Sequence, residues 1–310
     1  MRAGVLARVV RGGFVESVHL GHAVARDGGG RTVWSIGDPA TTFLPRSALK
    51  PVQAVAMLEH GLDLSGELLA LAAASHSGEP AHRAGVAGIL AGAGFAEADL
   101  QNTPALPWDA QAAFAWRAAG RGPEPIAQNC SGKHAAMLAT CVAAGWDPTG
   151  YRDPGHPLQR AVRAAIARLT GDGDPAVTTV DGCGAPLFSC TVAGLAEAFA
   201  RIAAAAPDTA EGRVAAAMRA HPWWVSGTGR LEVELAAAVP GAIGKIGAEG
   251  VFAAALPDGR ALAVKVLDGA ARPLPVVVAA ALRALGETEL GTFGEVPVLG
   301  HGVPVGRLEL

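Results

Sequence analysis

Leu44-Pro45-Arg46-Ser47-Ala48-Leu49-Lys50-Pro51 holds a serine and a lysine three residues apart. On a helix that spacing sets both side chains on one face, within reach of each other. A serine hydroxyl is a poor nucleophile until a base takes its proton. A free lysine, with a pKa near ~10.4, is protonated at neutral pH and cannot be that base. Burial and a neighbouring positive charge both lower the value, and a drop of roughly three units takes about 4 kcal/mol. The plain alternative is a solvated helix face, because a serine and a lysine often fall three apart by chance. Composition weighs against it. Lys and Arg together number 25, yet the lysines are only Lys50, Lys133, Lys245 and Lys265. Arginine is this chain's ordinary cation, and only lysine can give up its proton. Ser47 is expected to be a nucleophile and Lys50 its base. Arg46 is expected either to depress the lysine or to clamp a substrate carboxylate.

Outward from this stretch, strands are predicted at both ends of the chain. Gly4 to Val10, Phe14 to Ala25 and Thr32 to Ile36 carry β-branched residues at alternate positions, with Gly12-Gly13 as a turn. Gly241 to Gly247, Val251 to Leu256 and Ala261 to Leu267 form a second group, with Pro257-Asp258-Gly259-Arg260 as a hairpin. Helical patterns fill the middle: Ser47–Glu59, Glu67–Ala74, His82–Ala93, Ala110–Arg117, Cys130–Ala144, Pro157–Leu169, Cys190–Ala206 and Glu211–Ala220. Leu274–Leu285 closes the chain as a helix. The expectation is one α+β unit over 1–310. Strands from about 1–36 and 241–267 would share one antiparallel sheet, with a helical region at about 47–240. Serine hydrolases of the β-lactamase and penicillin-binding class are laid out this way, with S-x-x-K facing a K-T-G strand. Lys245-Ile246-Gly247 stands in the matching place, with isoleucine where a hydroxyl is usual.

Bulk composition excludes several classes. Half the residues are hydrophobic and 17% are charged, which is globular composition. The net charge of −3 and scattered basic residues argue against nucleic acid. Cys130, Cys141, Cys183 and Cys190 are too few and too irregularly spaced for a disulfide scaffold. No apolar run suits a membrane span, and the start at Met1-Arg2 lacks the marks of a signal peptide. A soluble, cytoplasmic protein is expected.

Five segments together resemble a known family. They are Arg46-Ser47-Ala48-Leu49-Lys50-Pro51, Ser75-His76-Ser77-Gly78-Glu79-Pro80, Asn129-Cys130-Ser131-Gly132-Lys133-His134, Asp181-Gly182-Cys183-Gly184-Ala185-Pro186 and Lys245-Ile246-Gly247-Ala248-Glu249-Gly250. In this order they look like the asparaginase II family, typified by the inducible rhizobial L-asparaginase. The resemblance implies hydrolysis of the L-asparagine side-chain amide, a β-lactamase-like fold and a homodimer. It implies Ser47–Lys50 as a first serine–lysine pair and Ser77–Lys245 as a second, with Ser75 as the alternative to Ser77. It implies a zinc site of Cys130, Lys133 and Cys183, beside Asp181.

Each assignment has a plainer rival. Spacing alone does not make Cys130, Lys133 and Cys183 a zinc motif, and free cysteines are commonly buried. Ser77 sits in a loop where serine is ordinary. Glu79 is a candidate partner for a substrate ammonium or a turn cap, and Asp181 a partner for the ammonium or for water on the metal. Rival functions are a glutaminase, a β-lactamase-like esterase, and a non-catalytic, zinc-stabilised binding protein of the same fold.

Overall fold

A computed structural model describes residues 3–310; Met1 and Arg2, which bear on the leader reading and begin the expected span 1–36, lie outside the described residues. The N-terminal strands are β1 (Gly4–Arg11), β2 (Phe14–Arg26), β3 (Thr32–Ile36) and the short β4 (Thr42–Phe43). Six helices follow: α1 (Lys50–Glu59), α2 (Gly66–Ala72), α3 (Pro80–Gly92), α4 (Ala110–Ala118), α5 (Ser131–Ala144) and α6 (Pro157–Thr170). After β5 (Thr178–Val180), β6 (Pro186–Phe188) and β7 (Cys190–Thr191) come α7 (Val192–Ala204), α8 (Ala210–Ala220), α9 (Pro222–Val225) and α10 (Leu231–Ala238). The C-terminal part holds β8 (Ile243–Gly247), β9 (Val251–Ala255), β10 (Ala261–Val266), α11 (Leu274–Ala284), β11 (Pro297–Gly300) and β12 (Val303–Glu309).

Among the described residues one antiparallel sheet runs β11-β12-β1-β2-β10-β9-β8, with β3 also on β2. β2 is 13 residues long, so β1 takes its first part and β3 its last, while β10 pairs along the other edge. Strands from both ends of the chain thus interleave, as the α+β reading expects.

The central strands are buried on both faces, and their side chains alternate between two cores. Val24, Val251, Ala253, Ala255, Ala261 and Ala263 face the helical region. Ala23, Ala25, Phe252, Ala254, Leu262, Val264 and Val266 face α11. Small alanines on the first face let α7 lie close against β9 and β10. Nine residues of α1, Lys50 to Leu58, are buried, so this helix runs through the middle of the helical region. Burying such a segment contributes about 25 cal/mol per Å² of apolar surface.

The structure corrects three expectations. Residues 297–309 form a strand pair the sequence did not suggest. Their prolines and glycines read as breakers, but Pro297 opens an edge strand and Pro304 sits beside a register shift, where proline is tolerated. Cys190 belongs to a short strand paired to β4, and its helix begins only at Val192, where Thr191 caps the N-terminus. Ser47 stands in a 3₁₀ turn, Arg46–Leu49, that leads into α1 rather than in α1 itself.

Candidate active site

The turn that carries Ser47 is held from two sides. Arg46 has φ of 55°, a left-handed conformation that costs a non-glycine residue about 1–2 kcal/mol. Strain of this kind persists only where packing enforces it. Gly247 supplies part of that packing. A Cβ there would collide with the Pro45 carbonyl and lie 3.3 Å from the Ala48 nitrogen. Glycine therefore lets β8 press directly on the turn, and Ser47 is left half-buried at the wall of a cleft.

Lys50 is 1% exposed and points inward. Its Nζ donates to Ser75 Oγ (2.9 Å), to the Ala74 carbonyl and to the Asn129 carbonyl (3.4 Å). Ser47 is not among these partners, so the three-residue spacing does not produce a Ser47–Lys50 hydrogen bond. Ser47 lies in the 3₁₀ turn and Lys50 opens α1, and the Lys50 amine is taken by Ser75 and the two carbonyls instead. Burial lowers the Lys50 pKa most, and Lys133 adds to this against the pull of the Cys130 and Cys183 sulphurs. Arg46, the neighbour expected to do so, is not among the causes.

Ser77 and Lys245 are likewise not joined. Ser77 Oγ donates to the Ser226 carbonyl (2.7 Å) and accepts from Arg230 Nε (3.2 Å). Glu79 accepts from the Thr228 amide (2.9 Å) and hydroxyl (3.0 Å). Both residues therefore fasten the loop 226–230. Lys245, fully buried, donates to Glu232 Oε1 (3.3 Å) and to the Ile246 carbonyl (3.0 Å).

Cys130, Lys133 and Cys183 do come together. Lys133 Nζ donates to Cys183 Sγ at 3.2 Å, and Cys130, Cys183 and Ala185 share one buried cluster. The hydrogen bond from Cys183 holds the Cys130 thiol well below its ordinary pKa, against burial and with help from Lys50 and Lys133. Burial opposes the charge on Lys133, but both sulphurs and the Asp181 carboxylate outweigh it and raise its pKa. His134, beside Cys183, has a buried Nε2 without a hydrogen-bond partner. Among the described residues no three His, Cys, Asp or Glu side chains converge, so a metal here would depend on the Lys133 amine. The two thiols are donors of the kind zinc takes, and the Lys133 amine, once deprotonated, would supply the third.

Arg46 Nε donates to Asp181 Oδ1 at 2.6 Å, and the Gly182 amide to the same oxygen at 2.8 Å. This pair borders a cleft of about 350 Å³ that also exposes Ser47, Trp108, Asn129, Cys130, Cys183 and Ala248. Grooves of about 610 and 720 Å³ along α11 and the C-terminal strands carry none of these groups. The cleft is sized for a small molecule. Sequence reasoning ranked Ser75 below Ser77 and missed Glu232 and Arg230. The scarcity of lysine was the one usable signal: a buried Lys245 needs an acid nearby, but no helix was expected over 231–238 to supply it.

Fold and cleft define an α+β protein with one small cleft beside the Ser47 turn and three buried lysines. The sequence pattern of L-asparaginase II matches residues 7–310, and the chain belongs to that family, the asparaginase type of amidohydrolase. Among solved structures it is similar to a β-lactamase from Mycobacterium bovis, at 17% identity over 87% of this chain and 95% of that one, with a TM-score of 0.49. It is also similar to Mglu in its native form, at 17% identity over 84% of this chain and 62% of that one, with a TM-score of 0.45. No curated protein matches the chain. Among the described residues no helix is long and apolar enough to cross a membrane.

Proposed function

We propose that the protein hydrolyses the side-chain amide of L-asparagine, giving L-aspartate and ammonia through an acyl-enzyme on Ser47. The observation that carries this reading is one small cleft bordered by Ser47 and the Arg46–Asp181 pair, with the buried Lys50–Ser75 pair behind it. An amino acid is a zwitterion, and the Arg46–Asp181 pair offers it one charge of each sign. Arg46 would take the α-carboxylate and Asp181 the α-ammonium. Glu79, engaged by Thr228, serves in this reading to fasten its loop.

Ser47 Oγ attacks the amide carbon, and its proton passes to neutral Lys50, with the Ser75 hydroxyl as the group already bonded to that amine. The Ser47 N–H holds the oxyanion. The proton then goes to the leaving nitrogen, ammonia departs, and water hydrolyses the ester. Cys130, Lys133 and Cys183 would hold zinc, which would polarise or order this wall of the cleft when bound. Glutamine differs from asparagine by one methylene, worth only ~1–3 kcal/mol.

A second arrangement has one observation in its favour: the 2.9 Å Lys50–Ser75 bond makes Ser75 the better activated hydroxyl. It is, however, 3% exposed, whereas Ser47 faces the cleft. Two copies are proposed to associate in a homodimer, a reading supported by Val15, Val18 and Leu20 of β2 and Val303 and Val305 of β12, which stand exposed. Ammonia release from L-asparagine and L-glutamine by wild type, Ser47→Ala, Ser75→Ala and Ser77→Ala, with and without chelator, tests the chemistry. A folded Ser47→Ala that keeps full rate removes Ser47 as nucleophile. Wild type that releases no ammonia with metal restored removes the amidase reading itself.

A further inference from the structure

Glu232 and Lys245 form a buried pair outside the roles assigned above. Glu232 is 3% exposed, in the first turn of α10. Its Oε1 accepts from Lys245 Nζ at 3.3 Å and from the Ile246 amide at 2.9 Å, while Lys245 Nζ also donates to the Ile246 carbonyl. β8 is the end strand of the sheet. The Ile246 N–H and carbonyl therefore lie on its open edge, and the carboxylate and ammonium close that edge together. Glu232 Oε2 is buried without a partner, so the carboxylate's charge is not shared with solvent.

Two residues further along β8, Gly247 touches the Ser47 turn, and Ala248 lines the cleft. Lys245 thus lies on the strand that supports the Ser47 turn, with Lys50 and Cys130 among its charged neighbours. The titratable groups that face it are Glu232 from α10, Lys50 from α1, Cys130 before α5 and His76 from the segment before α3. Of these only Glu232 is a carboxylic acid, while Lys50 pushes the charge on Lys245 away.

We propose that Glu232 is a positioning residue that keeps Lys245 seated and positively charged, so that Lys245 serves as a fixed cation behind the cleft and not as a second base. A buried lysine without an acid sheds its proton. Burial does press Lys245 down to about 8, and Glu232 resists that pressure. Glu232 is the carboxylate bonded to that ammonium at 3.3 Å, and its effect is the largest among the groups that favour the charge. The ammonium's charge then favours the carboxylate of the substrate and the oxyanion that forms during attack. This inference rests on the amidase reading for the use of the charge, but not for the charge itself.

The test exploits the four lysines of the chain. Lysine labelled with ¹³C at Cε gives few resonances, and Lys245→Met assigns the one that matters. In Glu232→Gln, which keeps an acceptor for the Ile246 amide, the Lys245 resonance is expected to titrate at least one pH unit below wild type. The alkaline limb of kcat/KM is expected to move down by the same interval, whereas a merely structural loss lowers the whole profile without moving it. Glu232→Asp, with the charge retained at longer reach, is expected to fall between the two, and it carries the test alone should Glu232→Gln not fold. A Lys245 resonance that titrates at the wild-type pH in either folded variant overturns the proposal. If the protein hydrolyses neither amide, the resonance still decides the charge of Lys245, and only the amidase reading fails.

Discussion

Lys50 opens α1 and Lys133 lies in the first turn of α5, and each is 1% exposed. Around Lys50 the bonded partners are neutral: two carbonyls and the Ser75 hydroxyl. Around Lys133 they are a thiol at 3.2 Å, a second thiol nearby and the Asp181 carboxylate. Burial penalises both ammonium groups alike, so depth does not separate them. Partners do. One lysine is pushed toward the free amine and the other toward the ammonium. A lysine's part in a site is thus read from its second neighbour, not from its exposure.

The sharpest way to break this contrast is to remove each amine. Lys50→Met is expected to lower kcat for asparagine by about 10³-fold or more, as loss of a general base does. Lys133→Met is expected to cost far less in rate when metal is absent. Steady-state ammonia release decides it, and comparable losses in the two variants would erase the distinction.

Zinc binding comes next in size. Cys130→Ser and Cys183→Ser are each expected to abolish stoichiometric zinc uptake, measured by metal analysis after dialysis. Wild type should lose zinc steeply with acid, since two thiols and the raised Lys133 amine must all give up protons to bind it.

Stability should diverge in sign. Lys50, depressed in the folded state, binds fewer protons folded than unfolded. Its cost is complete below the folded pKa, shrinks as pH rises and is gone above ~10.4. Lys133 is raised. Its contribution is complete below ~10.4 and is lost as pH climbs through the folded value. Near pH 7, Lys50→Met should stabilise by about 1–2 kcal/mol and Lys133→Met should destabilise by about 1–3 kcal/mol. Thermal melts from pH 7 to 10 should show the advantage of Lys50→Met shrinking. A Lys50→Met protein less stable than wild type across that range contradicts the assignment.

The smallest expected effect concerns the turn that separates Ser47 from Lys50. Gly247→Ala places a methyl against the Pro45 carbonyl and is expected to cost about 1–3 kcal/mol of stability. Its rate should fall about tenfold, by displacement of Ser47, with KM little changed. An unchanged rate would show that the position of Ser47 does not depend on β8.

Much of this was legible in the sequence. Alternating β-branched residues placed β1 and β2, Gly12-Gly13 placed their hairpin, and Pro157 and Gly171 bracketed α6. Those signals are local, and local rules suffice for them. The scarcity of lysine singled out four residues, of which Lys50, Lys133 and Lys245 are buried and Lys265 is half-buried. What spacing could not supply was direction. Three residues from Ser47 to Lys50 permit a contact without ensuring one, and the Lys50 amine is taken by Ser75 and two carbonyls. Glu232 and Ser75 reach the lysines across long stretches of chain, which no periodicity reports. The C-terminal hairpin was hidden by prolines that only an edge position or a register shift excuses.

The interleaving of chain ends in the sheet has a consequence for the order of assembly. Arg8 pairs with Glu309 and Ala25 with Leu262, so β1 and β2 form a hairpin early but find their neighbours only when the last strands arrive. Contacts this far apart close slowly. The emerging chain therefore carries β1, β2 and β3 with the β10 edge of β2 and the β12 edge of β1 still open while some two hundred largely helical residues follow. Chaperones that shield bare strand edges should bind this chain early and release it late.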